Sequence, residues 1–136
     1  MIVQGQNVSV APGTGFAIST QVFNSMPITL VATTGVSGTT FSFTGSGIYV
    51  LDYEVSLEGT GSIAIYSGPL TGPLILDTTT VAGSSTATTW IHGRAMISVP
   101  ITGLALIISP VTATVAVTTS GPAPYYMVRL TILKIA

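Results

Sequence analysis

The chain has 136 residues, 47% hydrophobic and only 5% charged, with a formal net charge of -1 and no cysteine. That length supports one domain with a real hydrophobic core. Three bases cannot compete with the counterions of a nucleic acid, and the lack of cysteine excludes disulfides, thiol nucleophiles and Cys-ligated metals.

The polar surface must come mainly from Thr, Ser and Gly, and Thr favours strands through its branched Cβ. Charge repulsion does little for solubility here, which favours an assembled protein over a freely diffusing one. No run reaches the roughly 18 apolar residues of a membrane span, so membrane insertion is not expected. The N-terminus lacks the basic and apolar regions of a signal peptide.

Residues 1–14 (MIVQGQNVSVAPGT) read as a loose lead-in to a domain over 15–136, with one short strand at 7–10. Asn7-Val8-Ser9 fits a glycosylation sequon, although a chance triplet is the plainer reading. A first anchored strand is expected at 16–18 and another at 28–32, after Pro27. Phe41 and Phe43 share a face, and Gly45-Ser46-Gly47 then turns into the strand that organises the chain. Along it Tyr49, Leu51, Tyr53, Val55 and Leu57 form one side and Ile48, Val50, Asp52 and Glu54 the other.

Gly59 to Gly61 closes that strand, and residues 62–66 alternate again. Turn residues over 67–73 precede a brief strand at 74–76, and the Thr/Ser-rich stretch 77–89 reads as a loop. In the strand 90–99, Ile91, Ala95, Ile97 and Val99 oppose His92, Arg94, Met96 and Ser98. A hairpin at Pro100 to Gly103 leads into 104–108, whose second face is Ala105 and Ile107. Strands at 113–118 and 125–135 follow, separated by a turn with two prolines. In the last, Val128, Leu130 and Ile132 point inward, leaving Arg129, Thr131, Leu133 and Ile135 outside. No stretch has helical periodicity, and eight to ten strands spaced by turns predict an all-β sandwich or barrel.

The strands containing Val50, Ile107 and Leu133 carry hydrophobes on both faces, whereas 62–66, 90–99 and 113–118 have a more polar second face. An antiparallel sheet whose outer side meets water should be polar there, and an exposed apolar patch points to a partner. The expectation is one sheet between the core and a neighbouring subunit, and one between the core and water. Val50, Ile107, Leu133 and Ile135 are the candidate subunit contacts.

Candidate chemistry is sparse. His92 is the only histidine, and with no second His or Cys a zinc site is not expected. A Ser-His-Asp set can be assembled from His92 and Asp77, but no local signature supports it. Asp52 and Glu54, two apart on one strand, suit calcium, glycoside chemistry or plain charge pairing with Arg94, Arg129 or Lys134. Pairing is the simplest. Trp90, Tyr125 and Tyr126 suit a sugar-stacking surface or a subunit interface. Gly45, Gly47, Gly59 and Gly61 are turn residues, not a phosphate cradle, because no helix follows them. No cofactor is expected.

Gly47-x-Tyr49-x-Leu51-x-Tyr53-x-Val55 resembles the G-x-Y-x-F-x-Y-x-V strand of the C1q and tumour-necrosis-factor-like jelly roll. Gly93-x-Ala95-x-Ile97-x-Val99 and Leu104-x-Leu106-x-Ile108 resemble that family's next strand pair, with Pro100-Ile101-Thr102-Gly103 where the family often has Pro-Gly-Asp. The ending VRLTILKIA, residues 128–136, resembles the C-terminal domain of BclA-like collagenous glycoproteins of the spore surface. Over residues 15 to 136 the resemblance implies an antiparallel two-sheet jelly-roll sandwich of about ten strands that forms a homotrimer. It also implies an extracellular place on the spore surface (exosporium or an appendage layer), among other spore-surface proteins, and a structural role, not an enzymatic one. Tyr125 and Tyr126 then join the candidate interface. The alternative is an adhesin-like module of the same fold that binds a glycan or host protein. It would use the loops 67–73, 77–89 and 119–126, with Trp90, His92 and Arg94 as the ligand-facing side chains.

Overall fold

The structure, a computed structural model, describes residues 2–5, 9–18, 20–23, 25, 27–32, 38–57, 59–84, 90–116 and 128–136. In chain order the strands are β1 (Ile2–Gly5), β2 (Ser9–Val10), β3 (Thr20–Phe23), β4 (Ile28–Ala32), β5 (Thr39–Phe43), β6 (Gly47–Ser56) and β7 (Gly61–Gly68). They continue as β8 (Ile75–Leu76), a 3-10 turn (Thr78–Thr80), β9 (Ala82–Ser84), β10 (Trp90–Val99), β11 (Leu104–Pro110), β12 (Val115–Ala116) and β13 (Val128–Lys134). Among the described residues no helix is long and apolar enough to cross a membrane.

Two antiparallel sheets form a sandwich. One has the order β10-β6-β13-β1-β3; the other runs β4-β5-β11-β7, with β8 and β9 both along the free edge of β7. Among the described residues the two sandwich sheets hold eleven strands, ten if β8 and β9 count as one interrupted strand, as the jelly-roll expectation has it, and β2 and β12 pair in a separate two-stranded ladder. From β5 to β6, β6 to β7, β9 to β10 and β10 to β11 the chain changes sheet each time, so inward-facing residues of successive strands meet in one core.

The organising strand behaves as its alternation predicts. Tyr49, Leu51, Tyr53 and Val55 are buried on its inner side, opposite Phe41, Phe43, Ile63, Ile65, Leu106 and Ile108 of the other sheet. Phe43 and Tyr49 pack edge to face, their ring centroids 5.1 Å apart. The buried phenols are satisfied: Tyr49 donates to the Gly45 carbonyl at 2.7 Å, and Tyr53 donates to the Thr80 carbonyl. Burial pushes both phenols above their ordinary range, so they remain donors. Tyr53 also explains Gly93 in the facing strand, because a Cβ there would overlap the Tyr53 ring.

Several expectations need correcting. The lead-in is not loose throughout, since β1 lies between β13 and β3, with Ile2 opposite Thr131 and Gly5 opposite Val128. The expected strand at 16–18 is an extended crossing segment instead. It is fixed by hydrogen bonds from the Phe16 amide to the Ile108 carbonyl (2.8 Å) and from the Ile18 amide to Thr39 Oγ1 (2.8 Å). The 77–89 loop contains the 3-10 turn and β9. Asp77 caps that turn, its Oδ1 accepting from the Thr79 amide and hydroxyl.

The strands with two apolar faces do not share one sheet. β6 and β13 pair with each other, but β11 belongs to the opposite sheet. Ile107 is only 5% exposed and is not available to a partner. The segment 11–18 covers its face: Gly15, at φ +78, would place a Cβ 3.3 Å from Ile107 Cβ, and Ser109 Oγ accepts from the Gly13 amide at 2.7 Å. The second apolar face of β11 is therefore filled by the chain's own backbone crossing.

Candidate functional site

Among the described residues, apolar and charged side chains concentrate together on the outer side of β10, β6 and β13. Its composition follows from strand parity. Every second residue of β10 is exposed (Trp90, His92, Arg94, Met96, Ser98), while Ile91, Gly93, Ala95, Ile97 and Val99 are buried. β13 alternates likewise, with Arg129 and Leu133 outside and Val128, Leu130 and Ile132 in the core.

Register converts these alternations into rows, each about 7 Å from the next along the strands. Ser98 lies opposite Ile48, and Ile135, whose amide donates to the Ile48 carbonyl at 2.9 Å, lies beside it. The next row is Met96–Val50–Leu133, then Arg94–Asp52–Thr131, then His92–Glu54–Arg129, and finally Trp90 opposite Ser56. The first two rows are apolar apart from Ser98. Met96 is 66% exposed, Leu133 60% and Ile135 51%, with Val50 and Ile48 half-buried between them.

The next two rows hold two of the chain's three bases and two of its four acids. Asp52 is gripped by the Arg94 fork, at 2.7 Å from Nε and 3.2 Å from the second guanidinium nitrogen. That hydrogen bond, more than the charge alone, holds the Asp52 carboxyl below its ordinary range and raises the Arg94 guanidinium. His92 Nε2 stands 3.5 Å from Asp52 Oδ1, with Glu54 directly across the ladder. Opposite charges in neighbouring ladder positions support one another, and here the four cancel.

The expected site residues divide accordingly. Val50, Leu133 and Ile135 come together on one face, and Ile107 is removed from it. His92 and Arg94 join that face in the charged rows, and Trp90, 54% exposed, ends it. Tyr125 and Tyr126 lie outside the described residues, as do Asn7 and Glu58. His92 is not brought into a triad with Asp77, whose carboxylate caps the 3-10 turn; its carboxylate neighbour is Asp52. Among the described residues no three His, Cys, Asp or Glu side chains are arranged to hold a metal ion. Sequence reasoning passed over Met96 as part of a polar face. The signal lay in its spacing, two residues from Arg94 towards the apolar end, but only the pairing with Val50 gives it apolar neighbours.

Comparison with known proteins bears on the fold. No protein-family model matches the chain, and no curated protein matches it in sequence. Among solved structures it is similar to the globular domain of the zebrafish complement 1qA protein, at a TM-score of 0.65 and 12% identity, over 99% of this chain and 95% of that one. Two antiparallel sheets in that arrangement, superposing over almost the whole chain, make this protein a C1q-like jelly-roll sandwich.

Proposed function

We propose that this chain is a structural, homotrimerising domain whose subunits meet through the outer face of β10, β6 and β13. The observation that carries the reading is the Met96–Val50–Leu133 row with Ile135 and Ile48 beside it, an apolar strip on a sheet face that ought to meet water. A second copy suits this face because its charged rows already balance, so covering them leaves no net charge to neutralise. The number three comes from the jelly-roll resemblance. The role is assembly, not catalysis, with apolar faces from three chains making one continuous core.

The spore-surface setting, in the exosporium or an appendage beside other surface proteins, rests on the likeness of residues 128–136 to the ends of BclA-like domains. The second reading, an adhesin-like module for a glycan or host protein, is favoured by Trp90, an aromatic left half in water at the end of the face. Light scattering on the purified chain tests the main reading: three times the 13.8 kDa protomer mass is expected. A lone protomer at micromolar concentration refutes it. Saturable glycan binding by the assembled protein, lost on Trp90→Ala, would favour the second.

A further inference from the structure

We propose that Glu54 and Arg129 are partners across the subunit boundary, the carboxylate of one copy meeting the guanidinium of the next. This rests on the reading that subunits meet through the outer face of β10, β6 and β13. Both residues stand in the row His92–Glu54–Arg129, opposite each other in register. Yet within the protomer neither side chain makes an ion pair or a side-chain hydrogen bond among the described residues. The adjoining row differs. There Asp52 is held by the Arg94 fork, and His92 Nε2 leans the same way, 3.5 Å from Asp52 Oδ1. The face therefore carries one closed ion pair, with one acid and one arginine left open beside it.

The order of the rows restricts how a second copy can lie on this face. Apart from Ser98 the two rows at one end are apolar, and the charged rows follow them. A copy laid antiparallel over the whole face would set Met96 and Leu133 against Glu54 and Arg129, covering charges with nothing to meet them. A copy laid in the same direction sets apolar rows against apolar rows and charged against charged. Rotation about an axis along the strands keeps each row at its own height, so the His92–Glu54–Arg129 row of one copy meets the same row of the next. With Arg94 committed to Asp52, Arg129 is the open arginine at that height and Glu54 the open carboxylate. Glu54 is half-buried and Arg129 exposed, so the longer side chain does the reaching, and its planar fork suits a carboxylate. Once both are covered, removing either leaves the other desolvated and unmatched.

The test is sedimentation equilibrium of the full chain as wild type, as Glu54→Arg, as Arg129→Glu, and as an equimolar mixture of the two variants. Salt at about 0.5 M screens attraction between separated charges, and far-UV circular dichroism confirms folding. Each reversed variant alone is expected to lose about thirtyfold or more in association per contact. The mixture should regain association as mixed trimers, in which two of the three contacts are matched. The gentler Glu54→Gln and Arg129→Gln should each weaken the assembly, and combining them in one chain should weaken it no further. Single variants that assemble like the wild type overturn the proposal. So do reversed variants that stay apart when mixed, the result of a pair closed within each chain. Either outcome leaves the assembly reading standing, whereas a wild-type chain that sediments as a lone protomer overturns both.

Discussion

Leu133→Asp separates the stability of the fold from that of the assembly. Leu133 is 60% exposed in the protomer and faces away from the core, so the substitution should change folding by no more than about 0.5 kcal/mol. In the assembly the position is worth more. Full burial of a leucine contributes about 1.5–3 kcal/mol, and with more than half of it still to be covered, the loss is about 1–2 kcal/mol. The new carboxylate would lie beside Val50 and Met96, while the nearest arginine of the face, Arg94, is committed to Asp52. Covering an unmatched carboxylate adds several kcal/mol. The sum is a weakening of about a hundredfold to a thousandfold or more per subunit. Light scattering at matched concentration should return the protomer mass, with an unchanged thermal melt of the protomer. A variant that keeps the wild-type mass refutes the assignment of this face.

Three further outcomes are expected. Gly93→Ala forces a methyl into the Tyr53 ring, which cannot retreat because it is buried and its hydroxyl is held by the Thr80 carbonyl; a loss of about 1–3 kcal/mol should appear in denaturant unfolding. Thr80→Val removes a buried hydroxyl that accepts from the Ile65 amide at 2.9 Å and donates to the Asp77 carbonyl at 2.8 Å, and should cost about 1–3 kcal/mol by the same measurement. Asp52 titrates below its ordinary value of 3.8, so the stability it contributes is present above that value and is lost as pH falls through its lower folded-state value. Asp52→Asn should flatten that acid limb of the stability curve; an acid limb identical to the wild type would count against the pair.

How much of this was legible depends on the range over which each feature is decided. The faces of β6, β10 and β13 could be read from single strands, because side chains alternate from one residue to the next whatever the neighbours are. Leu133 and Val50 are legible as outer-face residues on that basis. Ile107 was misplaced by the same reasoning. Alternation says which side of β11 it occupies, not that residues 11–18 return across nearly a hundred positions of sequence to cover that side. β1 was missed because its four residues alternate too briefly to stand out, and only pairing with β13 makes them a strand.

The amino-acid order by itself determined an all-β chain, its turn positions, the inward set Tyr49, Leu51, Tyr53 and Val55, and a shortage of charge that favours assembly. Those properties are local or compositional, fixed by backbone geometry and residue type. Only the tertiary structure decided that β10 lies against β6 and β6 against β13. That pairing places Met96 beside Val50 and Leu133, and gathers His92, Arg94, Asp52, Glu54 and Arg129 in two adjoining rows. Register between strands some forty to eighty residues apart is set by the packing of the whole sandwich, and no single strand carries it.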